Sequence, residues 1–149
     1  AIRFPESDVR PMGRSARGVR GMDFDEGDFL VSMEVVDPIK KDITILTVAE
    51  SGNGKRTELD EYRVQSRGGK GTITMKTGEK NTLVMGTMAV TDKDDLMLIT
   101  DKGQVIRIKM AEIRSMGRNT QGVRLINLNG NEKVVGIEKL ADKEEEPQT

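Results

Sequence analysis

The chain has 149 residues, of which 24 are basic and 25 acidic, and it contains no cysteine, histidine or tryptophan. Without cysteine there are no disulfides, thiolate nucleophiles or cysteine-ligated zinc, and without histidine the commonest general base and transition-metal ligand are absent. Hydrophobic residues make up 35% of the chain and aromatic residues 3%, which predicts a thin core carried by many short strands. We expect a cytosolic protein, because the sequence shows neither a bilayer-spanning apolar run nor a charged-then-apolar leader.

Short apolar segments run through the chain, at residues 2–4, 30–31, 43–48, 83–84, 96–100, 104–109, 123–128 and 133–140. The turn sequences SGNG, DKG and Asn-Gly separate several of them. Polar and apolar residues alternate at 104–109, which is typical of a half-buried strand in a hairpin. One helical turn is predicted at 110–115, and helical periodicity of useful length is otherwise absent. The sequence therefore predicts an all-β fold.

One motif occurs three times: an apolar residue, Arg, two residues, Gly or Ser, Arg, three residues, Gly. It appears as VRPMGRSARG at 9–18, YRVQSRGGKG at 62–71 and IRSMGRNTQG at 113–122, and the closing glycines are 53 and 51 residues apart. A period near fifty in a strand-rich chain predicts a propeller-like array of four-stranded blades. We expect about three repeats, at 1–39, 40–93 and 94–140, with an acidic tail at 141–149. Since the first copy lacks an opening apolar run, we expect the chain to begin within a repeat.

The basic residues are concentrated in the three loops. The windows 10–20, 63–76 and 114–124 hold eleven basic residues and no acid. Acidic residues collect instead at 23–28, at 92–95 and in the tail. Because successive repeats are related by a roughly constant rotation, the basic loops should lie in a row on one rim.

A row of basic, glycine-containing loops favours a phosphate backbone as ligand. The predicted DNA-binding residues are Arg10, Arg14, Arg17, Arg20, Arg63, Arg67, Lys70, Arg114, Arg118 and Arg124. Few aromatic residues are present for stacking, so duplex is favoured over single strands. The alternative is that these arginines form a solvated face, or that Arg14, Arg67 and Arg118 tie neighbouring blades together through carbonyls.

Several segments together resemble one family. LMLITDKGQVIR at 96–107, IRSMGRNTQGVRLI at 113–126, VVGIEKLAD at 134–142 and SGNGKRTELDEYRVQSRGGKG at 51–71 are similar to the C-terminal part of the A subunit of bacterial DNA gyrase, a type II topoisomerase. The resemblance implies a fragment with the last repeats of a β-pinwheel, a propeller-like ring whose four-stranded blades exchange strands. It also implies that duplex DNA wraps around the basic outer edge, so that the enzyme introduces negative supercoils.

The gyrase A box, a motif that the family requires for DNA wrapping, is nearly matched in the middle loop. The sequence Gln65, Ser66, Arg67, Gly68, Gly69, Lys70, Gly71 agrees at six of seven positions, with Ser66 where the family has Arg. Because only one further repeat follows, we expect this loop to be the counterpart of the box in a late blade. The resemblance implies DNA contacts for Arg67 and Lys70.

No catalytic residue and no metal site is predicted in the chain. By resemblance, strand cleavage belongs to a tyrosine of the N-terminal domain, and ATP and magnesium are expected only in the holoenzyme. Tyr62 occupies the slot of Val9 and Ile113, so it is predicted to be a packed hydrophobic residue. The expected partners are duplex DNA and the rest of the A subunit, together with the B subunit in an A2B2 complex. Neither a membrane nor a small-molecule substrate is expected as a partner. The expected location is the bacterial cytoplasm, at the nucleoid.

Two other functions remain open on the sequence. The chain could be the related module of a topoisomerase IV A subunit, or a protein-interaction propeller in which the loop arginines are struts between blades. The acidic run 142–146 is predicted to act as an intramolecular DNA mimic that competes for the basic rim. A solubilising end is the alternative for that segment.

Overall fold

The computed structural model describes residues 1–78 and 83–140, and that part of the chain contains strands and short 3₁₀ turns only. The strands are β1 (Thr44–Ala49), β2 (Asn53–Glu58), β3 (Val84–Val90), β4 (Asp95–Thr100), β5 (Val105–Lys109), β6 (Val123–Arg124) and β7 (Val134–Lys139). The 3₁₀ turns are Glu6–Asp8, Leu59–Glu61 and Met110–Glu112. The all-β prediction is confirmed, and the helical turn predicted at 110–115 is the third 3₁₀ turn.

The strands form two antiparallel sheets, and the first of them contains strands from two repeats. The first sheet has the order β3-β1-β2-β6, and the second has the order β5-β4-β7. In the first sheet β1 and β2 form a hairpin in which Thr44 pairs with Glu58. The outer strand β6 belongs to the third repeat, yet it pairs with β2 of the second repeat through Gly54 and Val123. This is the strand exchange that the resemblance to a β-pinwheel implies.

The hydrophobic core lies between the two sheets. Leu46 and Val48 on β1 are fully buried, as are Leu98 and, nearly so, Leu96 on β4. They belong to one cluster that also contains Ile126 and Met110 of the third 3₁₀ turn. Burial of each such aliphatic side chain stabilises the fold by roughly 1.5–3 kcal/mol. The core therefore joins the second and third repeats into one packed unit.

The first repeat departs from the prediction of four strands per repeat. Within residues 1–43 the described chain contains one isolated bridge, at Arg3, and one 3₁₀ turn. The apolar segment that corresponds to β3 is exposed, with Met33 at 81% and Val35 at 82% of its full accessible surface. In the second repeat this segment pairs with β1, whereas in the first repeat it belongs to no strand in the described part of the chain. The strand predicted at 123–128 is also shorter than expected, since β6 ends at Arg124.

Each repeat is fastened to the next by an arginine that donates to backbone carbonyls. Arg56 on β2 is 5% exposed, and its Nη1 donates to the carbonyls of Met110 (2.8 Å) and Ile113 (3.3 Å). Arg3 makes the same two bonds one repeat earlier, to the carbonyls of Leu59 (3.0 Å) and Tyr62 (3.2 Å). Arg107 occupies the corresponding position in the third repeat. We call Arg3, Arg56 and Arg107 the clamp arginines.

The backbone repeats the same connection beside each clamp arginine. Met116 N donates to Arg56 O (2.8 Å), and Gln65 N donates to Arg3 O (2.9 Å). Both arginines also form a parallel bridge with the loop of the following repeat. The step from the first to the second repeat is therefore built from the same contacts as the step from the second to the third.

We predict that Arg56→Met destabilises the fold much more than Arg107→Met. The first substitution removes the charged donor that Arg56 provides to two carbonyls and to Asp92, and each lost charged hydrogen bond costs roughly 1.5–3 kcal/mol. Arg107 is 60% exposed and bonded to Asp95, so its loss should cost about 1 kcal/mol or less. Urea unfolding at low protein concentration measures both, and equal losses would contradict a clamp role for Arg56.

Candidate nucleic-acid interface

The three basic loops, residues 9–18, 62–71 and 113–122, end in the same backbone conformation. The closing glycines Gly18, Gly71 and Gly122 have φ angles of +82°, +77° and +77°, a region that other residues rarely adopt. A Cβ atom at Gly122 would lie 2.5 Å from the carbonyl oxygen of Gly54, and one at Gly71 would overlap the carbonyl of Ala1. At Gly71 and Gly122 glycine is therefore required, because the loop bends tightly against the backbone of the preceding repeat.

Equivalent backbone bonds place the basic loops next to one another. Gly68 N in the middle loop donates to Gly21 O (2.7 Å), just after the first loop. Asp23 N donates to Gly69 O (3.0 Å), and one repeat later Lys76 N donates to Thr120 O (2.9 Å). Each loop thus contacts the segment that follows the preceding loop, and the loops form a continuous row.

Most of the basic side chains predicted to bind DNA point to solvent. Eight of the ten are exposed: Arg10, Arg14, Arg17, Arg20, Arg63, Lys70, Arg114 and Arg124. Arg10, Arg63 and Arg114 stand at the same position of the three loops. The row therefore presents an equivalent exposed guanidinium in every repeat.

The remaining two, Arg67 and Arg118, are half-buried and connect neighbouring repeats. Arg67 Nη1 donates to Arg20 O (3.0 Å), and its Nε donates to Asp8 O (3.1 Å). Arg118 Nη1 donates to Ile73 O (2.9 Å), at the position that corresponds to Arg20. This is the carbonyl tethering that the sequence left open as an alternative. Within the described residues, each of these two arginines therefore uses some of its N–H groups to connect neighbouring loops.

Lys55 shapes the third loop, and sequence analysis did not identify it. Its side chain is fully buried on β2, and its Nζ donates to Gly117 O (2.8 Å), to Arg118 O and to Thr120 Oγ1 (3.1 Å). Burial lowers the pKa of Lys55 to about 8, with a smaller contribution from the neighbouring Arg118 charge. At neutral pH the ammonium group is therefore mostly protonated. The sequence did contain one indication of this role, because Lys55 stands at a position that isoleucine occupies in the other two repeats.

Acidic side chains lie against the box-like loop. Lys70 forms an ion pair with Asp25, and Arg20 forms one with Asp23 (3.2 Å). The hydrogen bond from Lys70 to Asp25 raises the pKa of that lysine, and the charges of Asp25, Asp23 and Asp28 add to the effect. Part of the positive charge of the row is therefore neutralised by the segment that follows the first loop.

Tyr62, possible metal ligands and the acidic run also bear on the predicted site. Tyr62 is buried and its hydroxyl lies 2.6 Å from Thr74 Oγ1, which confirms that it is a packed residue. In residues 1–78 and 83–140 no group of three Asp, Glu, His or Cys residues could hold a metal ion. No helix in the same ranges has the length and apolar character needed to cross a bilayer. The acidic run at 142–146 lies outside the described residues.

The sequence model of a DNA gyrase C-terminal domain, a β-propeller, matches residues 1–37, 44–84 and 94–141. The DNA gyrase A subunit of Chlamydia trachomatis is 44% identical over 100% of the chain, and that of Escherichia coli K12 is 46% identical over 97%. The chain spans only 18% and 16% of the length of these two relatives.

Two solved structures are similar to the fold. The C-terminal domain of a DNA topoisomerase IV aligns with a TM-score of 0.84 and 29% identity, over 92% of this chain and 42% of that one. A DNA gyrase A C-terminal domain aligns with a TM-score of 0.81 and 27% identity, over 93% of this chain and 46% of that one. The predicted pinwheel architecture is therefore confirmed.

We predict that Lys55→Met changes how stability depends on pH. Well below pH 8 Lys55 is protonated in both states, so it contributes no pH dependence there. From about pH 8 to 10.5 the folded protein loses this proton while the unfolded chain keeps it, so Lys55 makes the unfolding free energy rise with pH. Urea unfolding at intervals across this range should show that Lys55→Met removes the rise.

The same measurement at pH 7 tests the contacts of Lys55. The variant should be less stable by roughly 1–3 kcal/mol, because buried loop oxygens lose their donor. Lys40→Met is the control, since Lys40 is exposed and should leave both the stability and its pH dependence unchanged. A pH profile of Lys55→Met that overlaps that of the unmodified protein would contradict the assignment.

Proposed function

The chain belongs to the DNA gyrase C-terminal domain family, and we propose that it is a DNA-binding and DNA-wrapping module of the gyrase A subunit. The observation that supports this proposal is the row of basic loops, which equivalent bonds hold in register with an exposed arginine in each repeat. Duplex DNA lies along this row in the proposal, with its phosphates against the exposed guanidinium groups.

Binding of this kind depends on the phosphate backbone. Each arginine that neutralises a phosphate releases counterions, which makes the affinity fall steeply with salt. The planar fork of arginine suits phosphate oxygens. Bending a duplex along the row costs on the order of 1–6 kcal/mol, so contacts from several loops must share it. Because the same step relates successive repeats, the path of the DNA acquires a fixed hand.

In the proposal the module contributes no catalytic group. Strand cleavage and ATP hydrolysis with magnesium are assigned to other parts of the gyrase complex, and the proposed protein partners are the rest of the A subunit together with the B subunit. The similarity to a topoisomerase IV C-terminal domain favours the related topoisomerase IV module as the second candidate. A protein-interaction propeller would differ from both, because random duplex should not displace its partner.

We predict that replacing Arg10, Arg63 and Arg114 together with alanine weakens binding to a duplex of about 40 bp and flattens its salt dependence. These side chains occupy the same exposed position of the three loops, and each phosphate contact contributes a salt slope of about 0.9. Fluorescence anisotropy over a series of salt concentrations measures the slope, which should fall by between two and three.

A matched control removes the same number of positive charges elsewhere. Lys40, Lys93 and Lys139 are exposed and lie outside the basic loops, so their replacement by alanine should change the slope much less. If the two triple variants change the slope equally, nonspecific charge attraction explains the binding. If the slope of the loop variant is unchanged, the row of basic loops does not contact the DNA.

We predict that Asp25→Asn strengthens DNA binding several-fold at low salt. The substitution removes the carboxylate that pairs with Lys70 and leaves the ammonium available to phosphate. Glu138→Gln is the control with the same change in net charge, at an exposed position on β7. If both variants bind alike in the anisotropy assay, then Asp25 does not mask the loop.

A further inference from the structure

The third basic loop is bound to β2 by two side chains of that strand. Lys55 is fully buried, and its Nζ donates to Gly117 O (2.8 Å) and to Thr120 Oγ1 (3.1 Å). Thr57 Oγ1 donates to Met116 O (3.0 Å). Residues two apart on a strand point to the same face, so Lys55 and Thr57 reach the same loop. The loop is therefore held by one charged and one neutral donor.

The middle basic loop closes in the same conformation without a charged donor at this position. Ile2 stands where Lys55 does, and a Cβ on Gly69 would lie 3.8 Å from Ile2 Cδ1. Nevertheless Gly71 and Gly122 close the two loops with the same φ angle of +77°. An ammonium group is therefore not needed to form this conformation. Because burial of a charge costs free energy, its presence at the third loop calls for another explanation.

Positive charge exceeds negative charge around Lys55. Burial lowers its pKa most, the neighbouring Arg118 charge lowers it further, and the carboxylate of Glu61 raises it. Glu61 Oε2 lies 3.9 Å from Arg118 Nε, and this buried Nε has no hydrogen-bond partner among the described residues. In that part of the chain Lys55 and Arg118 thus share one carboxylate. A further anion close to the loop would stabilise the charged form of both.

We propose that Lys55 is a positioning residue for DNA binding, which holds the third loop against β2 and places a buried positive charge next to Arg118. This inference rests on the proposed function, because the phosphate backbone is the anion that it invokes. The exposed arginines of the third repeat, Arg114 and Arg124, contact the phosphates, while Lys55 remains buried and acts through the loop. Its charge still acts on the DNA, because salt screens a buried charge only weakly.

Protonation of Lys55 is linked to DNA binding in this arrangement. In the free protein the pKa of Lys55 is about 8, and phosphates close to the loop favour the charged form and so raise that pKa. Between the two pKa values binding takes up a proton, so the affinity falls as the pH rises, by at most about tenfold per pH unit. Well below pH 8 Lys55 is protonated with and without DNA, and this dependence vanishes. The arginines keep their charge throughout the range.

Fluorescence anisotropy with a duplex of about 40 bp, from about pH 7.5 to pH 9.5 at constant ionic strength, tests the linkage. The affinity of the unmodified chain should fall several-fold over this range. Lys55→Met should bind more weakly at the lower pH and should lose the fall. The amino group of Ala1, whose pKa is lowered by burial, is present in both proteins, so its titration cancels in the comparison. Equal pH profiles of the two proteins would overturn the proposal.

Thr57→Val is the matched control for the hydrogen bonds of the loop. It removes the donor to Met116 O without a change of charge, so it should lower the stability of the fold but keep the pH dependence of DNA binding. Lys40→Met removes a positive charge from an exposed position and should keep the pH dependence as well. If Thr57→Val loses it, the structure of the loop and not the charge of Lys55 causes it, and the proposal is wrong.

A second variant at position 55 covers the case in which Lys55→Met does not unfold cooperatively. Lys55→Gln keeps a polar side chain that can donate to the loop, but it cannot gain a charge. Its affinity for duplex should therefore not fall with pH. A fall as steep as that of the unmodified chain would contradict the role of the Lys55 charge.

Isothermal titration calorimetry in two buffers with different ionisation enthalpies measures the proton itself. At about pH 8.5 the unmodified chain should take up part of a proton when it binds duplex, and both Lys55 variants should take up less. A chain that does not bind duplex even at about pH 7.5, where most Lys55 is protonated, would contradict the proposed function as well. Binding with the same proton uptake in all three proteins would contradict the role of Lys55 alone.

Discussion

The structure depends on guanidinium groups that reach from one repeat into the next. Arg3 and Arg56 donate to carbonyls of the following turn, and hydrogen bonds from a charged donor are among the stronger ones in a protein. Because the bonds are repeated at the same positions, they fix the displacement between neighbours. The row of basic loops is a consequence of that constant displacement.

Charge segregation, rather than net charge, defines the candidate interface. The chain carries −1 overall, yet equivalent loops expose arginines on adjacent repeats. Carboxylates at Asp23 and Asp25 neutralise part of this surface. A phosphate backbone that binds there, as proposed, would have to displace these internal anions, so the acids would lower its affinity for the row.

Much of the fold could be predicted, because the sequence repeats its turns and apolar runs. The hairpins and the burial of Tyr62 follow from alternation and from comparison of the three copies. Strand sharing could not be derived from local pattern, since β6 pairs with a strand of another repeat. In the described residues the apolar segment of the first repeat pairs with no strand, which local propensity does not reveal. Lys55 and the tethers of Arg67 and Arg118 depend on tertiary contacts, and their DNA roles remain predictions.

The direction of the clamps has a consequence for biosynthesis. Arg3 and Arg56 both precede their acceptor carbonyls in the chain, so the donor leaves the ribosome before the turn that it holds. The turn Met110–Glu112, for example, would meet an Arg56 that was translated earlier and lies on β2. The repeats of such a protein can fold one after another from the amino terminus onward. Each new repeat then packs against the repeat that was translated before it.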